Sequence, residues 1–269
     1  MSKNIYLHEL RIRIRSVIIW SLGILALHLL YLSFYGIFAD QAALVNEMME
    51  NFPPEFRAAF GMDGVDLSQV LGYYSFILTF AQICLAIQAG NYGFGLVSVE
   101  ESEMTADFLL SKPVSRARIL TSKTLAAITS LTITNAVVWI GAFTFINLFR
   151  SDHEYDPGTL SLMLASIIFF QLFFFSVGAA VSLLVKRVRN VTPYGLGLGF
   201  GMYVLAAFGD MLGESKLEWI TPFKHFDAGY IVQHQGYDMR LFGLSVSITV
   251  IALAISYWRY LRRDIPSAV

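Results

Sequence analysis

The polar segment Glu100–Arg116, with the sequence EESEMTADFLLSKPVSR, lies between two long apolar stretches, residues 67–99 and 124–149. Neither stretch contains a formally charged residue, and each is longer than the 20 or so apolar residues that cross a bilayer as a helix. The polar segment therefore connects two predicted membrane spans, which makes the chain an all-α membrane protein in this region.

The connecting segment itself has the pattern of a short helix over residues 100–112. Acidic residues cluster toward its start and Lys112 lies near its end, an arrangement that the helix macrodipole favours. Met104 and Phe108 are four residues apart and give the helix an apolar face, and Pro113 ends it. An exposed apolar face usually marks an interaction site, so we expect this helix to dock on a soluble partner. A solvated loop helix without a partner is the alternative.

The whole chain has the composition of a membrane protein. Of its 269 residues 56% are hydrophobic and 14% are charged, against about a quarter charged in soluble domains, and its mean hydropathy is +0.59. Six uncharged runs predict six transmembrane helices in a single transmembrane domain, residues 1–269. The approximate spans are residues 17–39, 69–97, 124–149, 159–185, 191–210 and 241–259.

The N-terminal segment, residues 3–16, alternates Arg11, Arg13 and Arg15 with apolar residues. The alternation alone is strand-like, but a lone strand edge beside a membrane span is unfavourable. We therefore predict a basic interfacial helix here.

The flanking cations predict the orientation. Lys and Arg residues are concentrated in segments 3–16, 100–123, 186–189 and 259–263, which lie on one side of a six-span map and hold 14 of the 19. By the positive-inside rule this side is cytoplasmic. We expect a multi-pass protein of the plasma membrane with both termini and the 100–112 helix in the cytoplasm.

The polar segment resembles the permease subunits of ABC-2 type ABC transporters. These carry, after their second membrane helix, a Glu, then Gly-Thr, a Leu-Leu pair and Pro-Val-x-Arg. The matching residues here are Glu100, Thr105, Leu109, Leu110, Pro113, Val114 and Arg116, with Met104 where the family usually has Gly.

The resemblance implies an exporter subunit that is not an enzyme and holds no cofactor. It implies a separate cytoplasmic ABC ATPase dimer that binds ATP, and a second permease subunit, identical or related, that completes the translocation route within the lipid bilayer. No nucleic-acid partner is expected. The sequence carries no Gly-x-x-x-x-Gly-Lys-Ser/Thr motif of its own. The residues expected to couple to the ATPase are Glu100, Glu101, Thr105, Phe108, Leu109, Leu110, Pro113 and Arg116.

Two further groups of residues lie inside the predicted spans. Gly195, Gly197, Gly199 and Gly201 form small-x-x-x-small pairs, which predict close helix packing, within the subunit or between subunits. Amide side chains inside the bilayer either bond between helices or line a route. These are Gln82, Gln88, Asn91, Asn135 and Gln171.

Two other function classes remain open. A membrane scaffold or immunity protein that does not transport would use the same spans and recognise its partner through the outer loops. A secondary carrier is disfavoured because the runs that predict the spans contain no Asp or Glu to bind a coupling ion.

Overall fold

The computed structural model describes residues 2–62, 64–102, 114–185, 190–213 and 215–262. Within these residues the chain is helical, with no strand. Six helices are long and apolar enough to cross a membrane, which confirms the predicted number of spans. They are α1 (Lys3–Leu32, continued by α2, Tyr35–Asp40), α5 (Val70–Ser102), α6 (Arg116–Phe149), α7 (Pro157–Leu184), α8 (Val191–Leu212) and α12 (Met239–Arg262).

Short helices occupy the two longer connections. The first connection holds α3 (Ala42–Asn51) and α4 (Pro54–Ala59), and α4 begins at the second residue of a proline pair. The second holds α9 (Ser215–Glu218), α10 (Pro222–His225) and α11 (Ala228–His234). α4 packs on α8, and α11 packs on α5, so both connections cover the same end of the bundle.

Side-chain caps fix several helix starts, as expected where the first backbone N–H groups lack partners. The Asp156 carboxylate accepts hydrogen bonds from the backbone N–H groups of Gly158 and Thr159 at the start of α7. Asn190 caps α8 and Asp227 caps α11 in the same way. Gly213 ends α8 with a left-handed backbone (φ 65°), a conformation in which glycine has no steric penalty.

The spanning helices form two groups. α1 packs along α6, whereas α7 packs on both α5 and α12 and α8 packs on α5, with α5 and α7 in the most extensive contact. The polar segment joins the end of α5 to the start of α6 and so connects the two groups. Large side chains on α7, such as Phe170 and Phe174, fill the centre of the second group.

Two boundaries differ from the sequence prediction. Residues 3–16 are helical, as predicted, but they continue without a break into the first span, so α1 is one helix. This first span then breaks at Ser33 and Phe34, where the Ser33 hydroxyl donates to Leu30 O, before α2 continues it. Residues 100–102, predicted as the start of a new helix, are the last residues of α5. Within this unbroken helix, Gly90 lies against α8 and Gly93 against α7.

Candidate functional site

Only some of the predicted ATPase-coupling residues belong to the part of the chain that the structure describes. Thr105, Phe108, Leu109, Leu110 and Pro113 lie outside the described residues. Glu100 and Glu101 belong to the last turn of α5, and Arg116 is the first residue of α6. The Ser115 hydroxyl accepts a hydrogen bond from Arg118 N and caps α6 directly after the segment. The segment therefore connects two long helices along the chain, α5 before it and α6 after it.

A buried ion cluster lies near the start of α6, and we call Glu9, Arg13 and Lys123 the inner ion cluster, after the membrane side that the sequence predicts for it. The Lys123 ammonium lies 3.5 Å from the Glu9 carboxylate, although the Lys123 side chain is only 3% exposed. Arg13, one turn after Glu9 on α1, forms an ion pair with the same carboxylate. The Arg13 guanidinium also lies 5.9 Å from the ring centre of Tyr92 on α5. The cluster thus connects α1, α6 and α5 at one end of the bundle.

Neutral hydrogen bonds surround the inner ion cluster. The backbone N–H of Ser2 donates to the Ser122 hydroxyl at 2.7 Å, and the hydroxyls of Tyr6 and Thr129 are 3.0 Å apart. Both contacts join α1, or the residue before it, to the first four turns of α6. The N-terminal half of α1 is therefore bonded to α6, the helix that follows the polar segment.

Three of the five predicted intramembrane amides bond between helices. The Gln88 side chain donates to the Thr134 hydroxyl at 2.9 Å, and Gln171 donates to the Gln88 amide oxygen at 3.2 Å. Gln82 donates to the carbonyl oxygen of Phe226 at 3.0 Å. Buried amides that bond in this way fit the interhelical alternative, although the amide oxygen of Gln171 is itself buried without a hydrogen-bond partner.

The other two amides have an unsatisfied oxygen. The amide oxygens of Asn91 and Asn135 are buried without a hydrogen-bond partner. Asn91 lies against the backbone of Gly195 on α8. Asn135 lies on α6 and is 6% exposed.

The four glycines of α8 divide into two faces. Gly195 and Gly199 are buried, and a Cβ atom at Gly199 would lie 3.0 Å from Ile87 N on α5. Gly197 and Gly201 have no neighbouring atom within 4 Å of a Cβ position. Within the described chain, the first pair therefore permits close packing on α5, and the second pair lies on the outward face of α8 beside the exposed Phe200.

A second charged cluster, which the sequence analysis did not identify, lies at the opposite end of the bundle. The Lys224 ammonium contacts the carboxylates of Asp210 at 2.7 Å and Asp227 at 3.2 Å, and we call these three residues the outer ion cluster. Burial lowers the pKa of Lys224, but the two carboxylates outweigh burial and leave the pKa above its ordinary value. The cluster joins the end of α8 to α10 and to the start of α11.

Beside the outer ion cluster lie two open cavities of about 190 and 330 Å³. His225 borders the smaller cavity, and its Nδ1 lies 2.6 Å from the Ser245 hydroxyl of α12. Burial lowers the pKa of His225, which favours the neutral ring at neutral pH. The loops at this end are thus held in place by polar contacts to α8 and α12.

Neither ion cluster had a strong signal in the sequence. Glu9 is the one acidic residue in the basic segment 3–16, and Lys123 is the last charged residue before the third apolar run. Glu9, an acidic residue among cations, could have suggested an ion pair with a cation of another segment. The two residues are too far apart in sequence for spacing alone to connect them.

The chain was compared with known proteins. The family model described as ABC-2 family transporter protein matches residues 3–265, almost the whole chain. No curated protein matched the sequence. The chain therefore belongs to the ABC-2 transporter family, a family of multi-pass membrane proteins, as the sequence resemblance predicted.

Proposed function

We propose that this ABC-2 family membrane protein is the permease subunit of an exporter and works with a separate ATPase subunit. The observation that carries the proposal is the family match over residues 3–265 on a chain with six membrane-spanning helices. The positive-inside pattern supports a plasma-membrane protein with both termini in the cytoplasm. In that orientation the Glu100–Arg116 segment is on the side where ATP is available.

The ATPase docks on the Glu100–Arg116 segment in this proposal. The support is the order of motif residues in the sequence and the position of the segment between α5 and α6, the two helices that belong to different packing groups. A push on this segment acts on both groups at once. Leu109 and Leu110 supply the apolar contact, because such residues are unfavourable in water without a partner.

The translocation route lies between two permease subunits, identical or related. The amide nitrogens of Gln88 and Gln171 donate hydrogen bonds inside one subunit, which favours a route outside the single bundle. α8 presents the open glycines Gly197 and Gly201 with Phe200 on its outward face, a surface suited to close packing with another helix.

Docking is tested by co-purification of the full-length chain with an ABC ATPase encoded by a neighbouring gene. We expect the double substitution Leu109→Asp/Leu110→Asp to abolish the association. The matched control is Leu44→Asp/Met48→Asp, which adds the same charges at two exposed apolar positions of α3, at the other end of the bundle. Association that survives the first pair of substitutions would show that the docking assignment is wrong.

Coupling is tested by the ATPase rate in lipid nanodiscs, with and without the permease. We expect the permease to change the rate, and Glu100→Ala/Arg116→Ala to abolish that change. If the ATPase neither binds nor responds to the wild-type permease, the scaffold function becomes the better explanation.

A further inference from the structure

We propose that Glu9 and Lys123 form a positioning pair that makes α1 follow α6 when the ATPase moves the Glu100–Arg116 segment. This inference rests on the proposed function and adds to it a pair of residues that transmits the movement. The pair lies outside the segment that the family motif covers.

The position of Lys123 carries the first step of the argument. α6 begins at Arg116, and Lys123 lies seven residues further on, about 10 Å along a helix that rises roughly 1.5 Å per residue. The intervening residues form two regular turns, including the buried Ile119 and Leu120. A displacement at the start of α6 therefore reaches Lys123 without an intervening joint.

The burial of the charges carries the second step. The Lys123 side chain is 3% exposed and the Glu9 side chain is 12% exposed, so water screens their attraction poorly. Arg13 approaches the same carboxylate from α1, and its own side chain is 11% exposed. Separating Glu9 from Lys123 would lose an attraction between buried charges that water screens poorly, which is more costly than losing a neutral bond. α1 is therefore expected to move with α6.

The packing of α1 carries the third step. α1 packs along α6 and less extensively on α5. At its outer half α1 is joined to α5 by neutral bonds, the 3.1 Å contact of His28 Nε2 with the Tyr74 hydroxyl and the 2.8 Å bond from the Tyr73 hydroxyl to Tyr31 O. The ionic contact of α1 to α6 lies at the inner end, close to the proposed source of movement. The opposite face of α1 exposes Ile12 and Leu22 to the surroundings.

The test asks whether the ion pair of Glu9 and Lys123 transmits movement, separately from any effect of the pair on the stability of the protein. Glu9→Gln/Lys123→Met removes both charges of the pair together, and Arg13 keeps its bond to the Glu9 backbone carbonyl oxygen and its contact with the Tyr92 ring. The free energy of unfolding of the double variant is measured beside the readout below, so that a loss of stability is recognised as such. The Gln side chain at position 9 can still accept a hydrogen bond from Arg13. The control is Tyr6→Phe, which removes a neutral bond between the same two helices. Lys123→Arg keeps the charge and should keep the function.

The readout is the distance between two spin labels in the full-length permease bound to its ATPase. The labels are placed at Ile12→Cys on α1 and Trp258→Cys on α12, both exposed at the inner end, after Cys84→Ala removes the single native cysteine. The labelled chain is diluted with unlabelled chain, and the distance distribution is measured with and without ATP and vanadate.

We expect the wild-type, Tyr6→Phe and Lys123→Arg chains to show an ATP-dependent shift in this distance. The Glu9→Gln/Lys123→Met chain should bind the ATPase with unchanged affinity and show no shift. A shift of wild-type size in the double variant would overturn the pairing inference and leave the proposed function intact. If the wild-type chain binds no ATPase, both fail. If the ATPase binds but α1 does not move, only the pairing inference fails.

Discussion

Gly93 permits the closest approach of α5 to α7, and we predict that Gly93→Ala will destabilise the protein strongly. A Cβ atom at this position would lie 2.9 Å from the backbone nitrogen of Ala179 and closer still to the carbonyl oxygen of Phe175. Real Cβ contacts are essentially never shorter than 3.0 Å. The atoms that the methyl group meets belong to the backbone of a neighbouring helix, so they cannot rotate away.

The size of the effect follows from two opposing contributions. Overpacking costs about 1–3 kcal/mol, and the upper end applies here because the two helices must move apart and lose dispersion contacts along their length. Replacing glycine by alanine inside a helix contributes up to about 1 kcal/mol in the opposite direction. We expect a net loss of about 2 kcal/mol in the free energy of unfolding.

The assay is unfolding in mixed micelles, followed by circular dichroism as the fraction of denaturing detergent rises. Two other glycines make a graded control. Gly178→Ala should cost less, because its nearest backbone atom is the Gly90 carbonyl oxygen at 3.0 Å. Gly197→Ala should be neutral or stabilising, since no atom lies within 4 Å. Equal stability of the Gly93 and Gly197 variants would refute the reasoning.

Three further predictions concern polar contacts. Lys224→Met leaves the carboxylates of Asp210 and Asp227 without their cation, and should lower the unfolding free energy by about 1–2 kcal/mol in the same assay. Because the pKa of Lys224 is raised in the folded protein, the stabilisation by Lys224 is complete below about pH 10 and is lost as the pH rises through the folded pKa. Gln88→Leu breaks the bond to α6 and removes one of the two acceptors of the Gln171 amide nitrogen, so it should cost about 0.5–2 kcal/mol. A transport phenotype without loss of stability would instead indicate that Gln88 lines a translocation route. Asp156→Ala removes the cap of α7. Hydrogen bonds from Thr159 and Gly158 hold the pKa of Asp156 low, so the stabilisation by the cap is present above about pH 4 and is lost as the pH falls through the folded pKa. The unfolding free energy of the variant should therefore depend less on pH in the acid range than that of the wild type.

The spans could be predicted from the sequence because uncharged runs of sufficient length are local signals. The helix ends could not. α6 begins at Arg116, eight residues before the apolar run at 124, and α12 continues to Arg262. Charged residues end an apolar run without ending a helix, since a helix that leaves the hydrocarbon still satisfies its own backbone bonds.

The glycine-rich stretch Gly90–Gly95 shows a second limit of local patterns. Three glycines in six residues are compatible with a bend in the helix. The structure has an unbroken helix that extends to Ser102, with Gly90 against Gly195 and Gly93 against Phe175. Glycine is as compatible with close packing as with a break, and only the neighbouring helix decides which applies.

The ion clusters could not be found from the sequence for a related reason. Each joins residues that are distant in the chain, and each charge taken alone is typical of a solvated helix end. Lys123 meets Glu9 because α1 packs along α6, and Asp210 meets Lys224 because α10 returns to the end of α8. Burial of this kind depends on tertiary packing, so the residues that we propose to transmit movement lie outside the recognisable motif.

The two packing groups give a physical reason for where movement should occur. Inside the second group, α5 and α7 meet backbone to backbone at Gly93, a contact that leaves no room for sliding. Inside the first group, the inner ion cluster resists separation of α1 from α6 because its charges are buried. Between the groups, the described polar links include neutral hydrogen bonds, such as Gln88 to Thr134 and the contacts of the Tyr73 and Tyr74 hydroxyls with α1, and interhelical bonds of this type contribute only about 1 kcal/mol each. A force on the segment that joins the groups should therefore shift one group against the other before it deforms either of them.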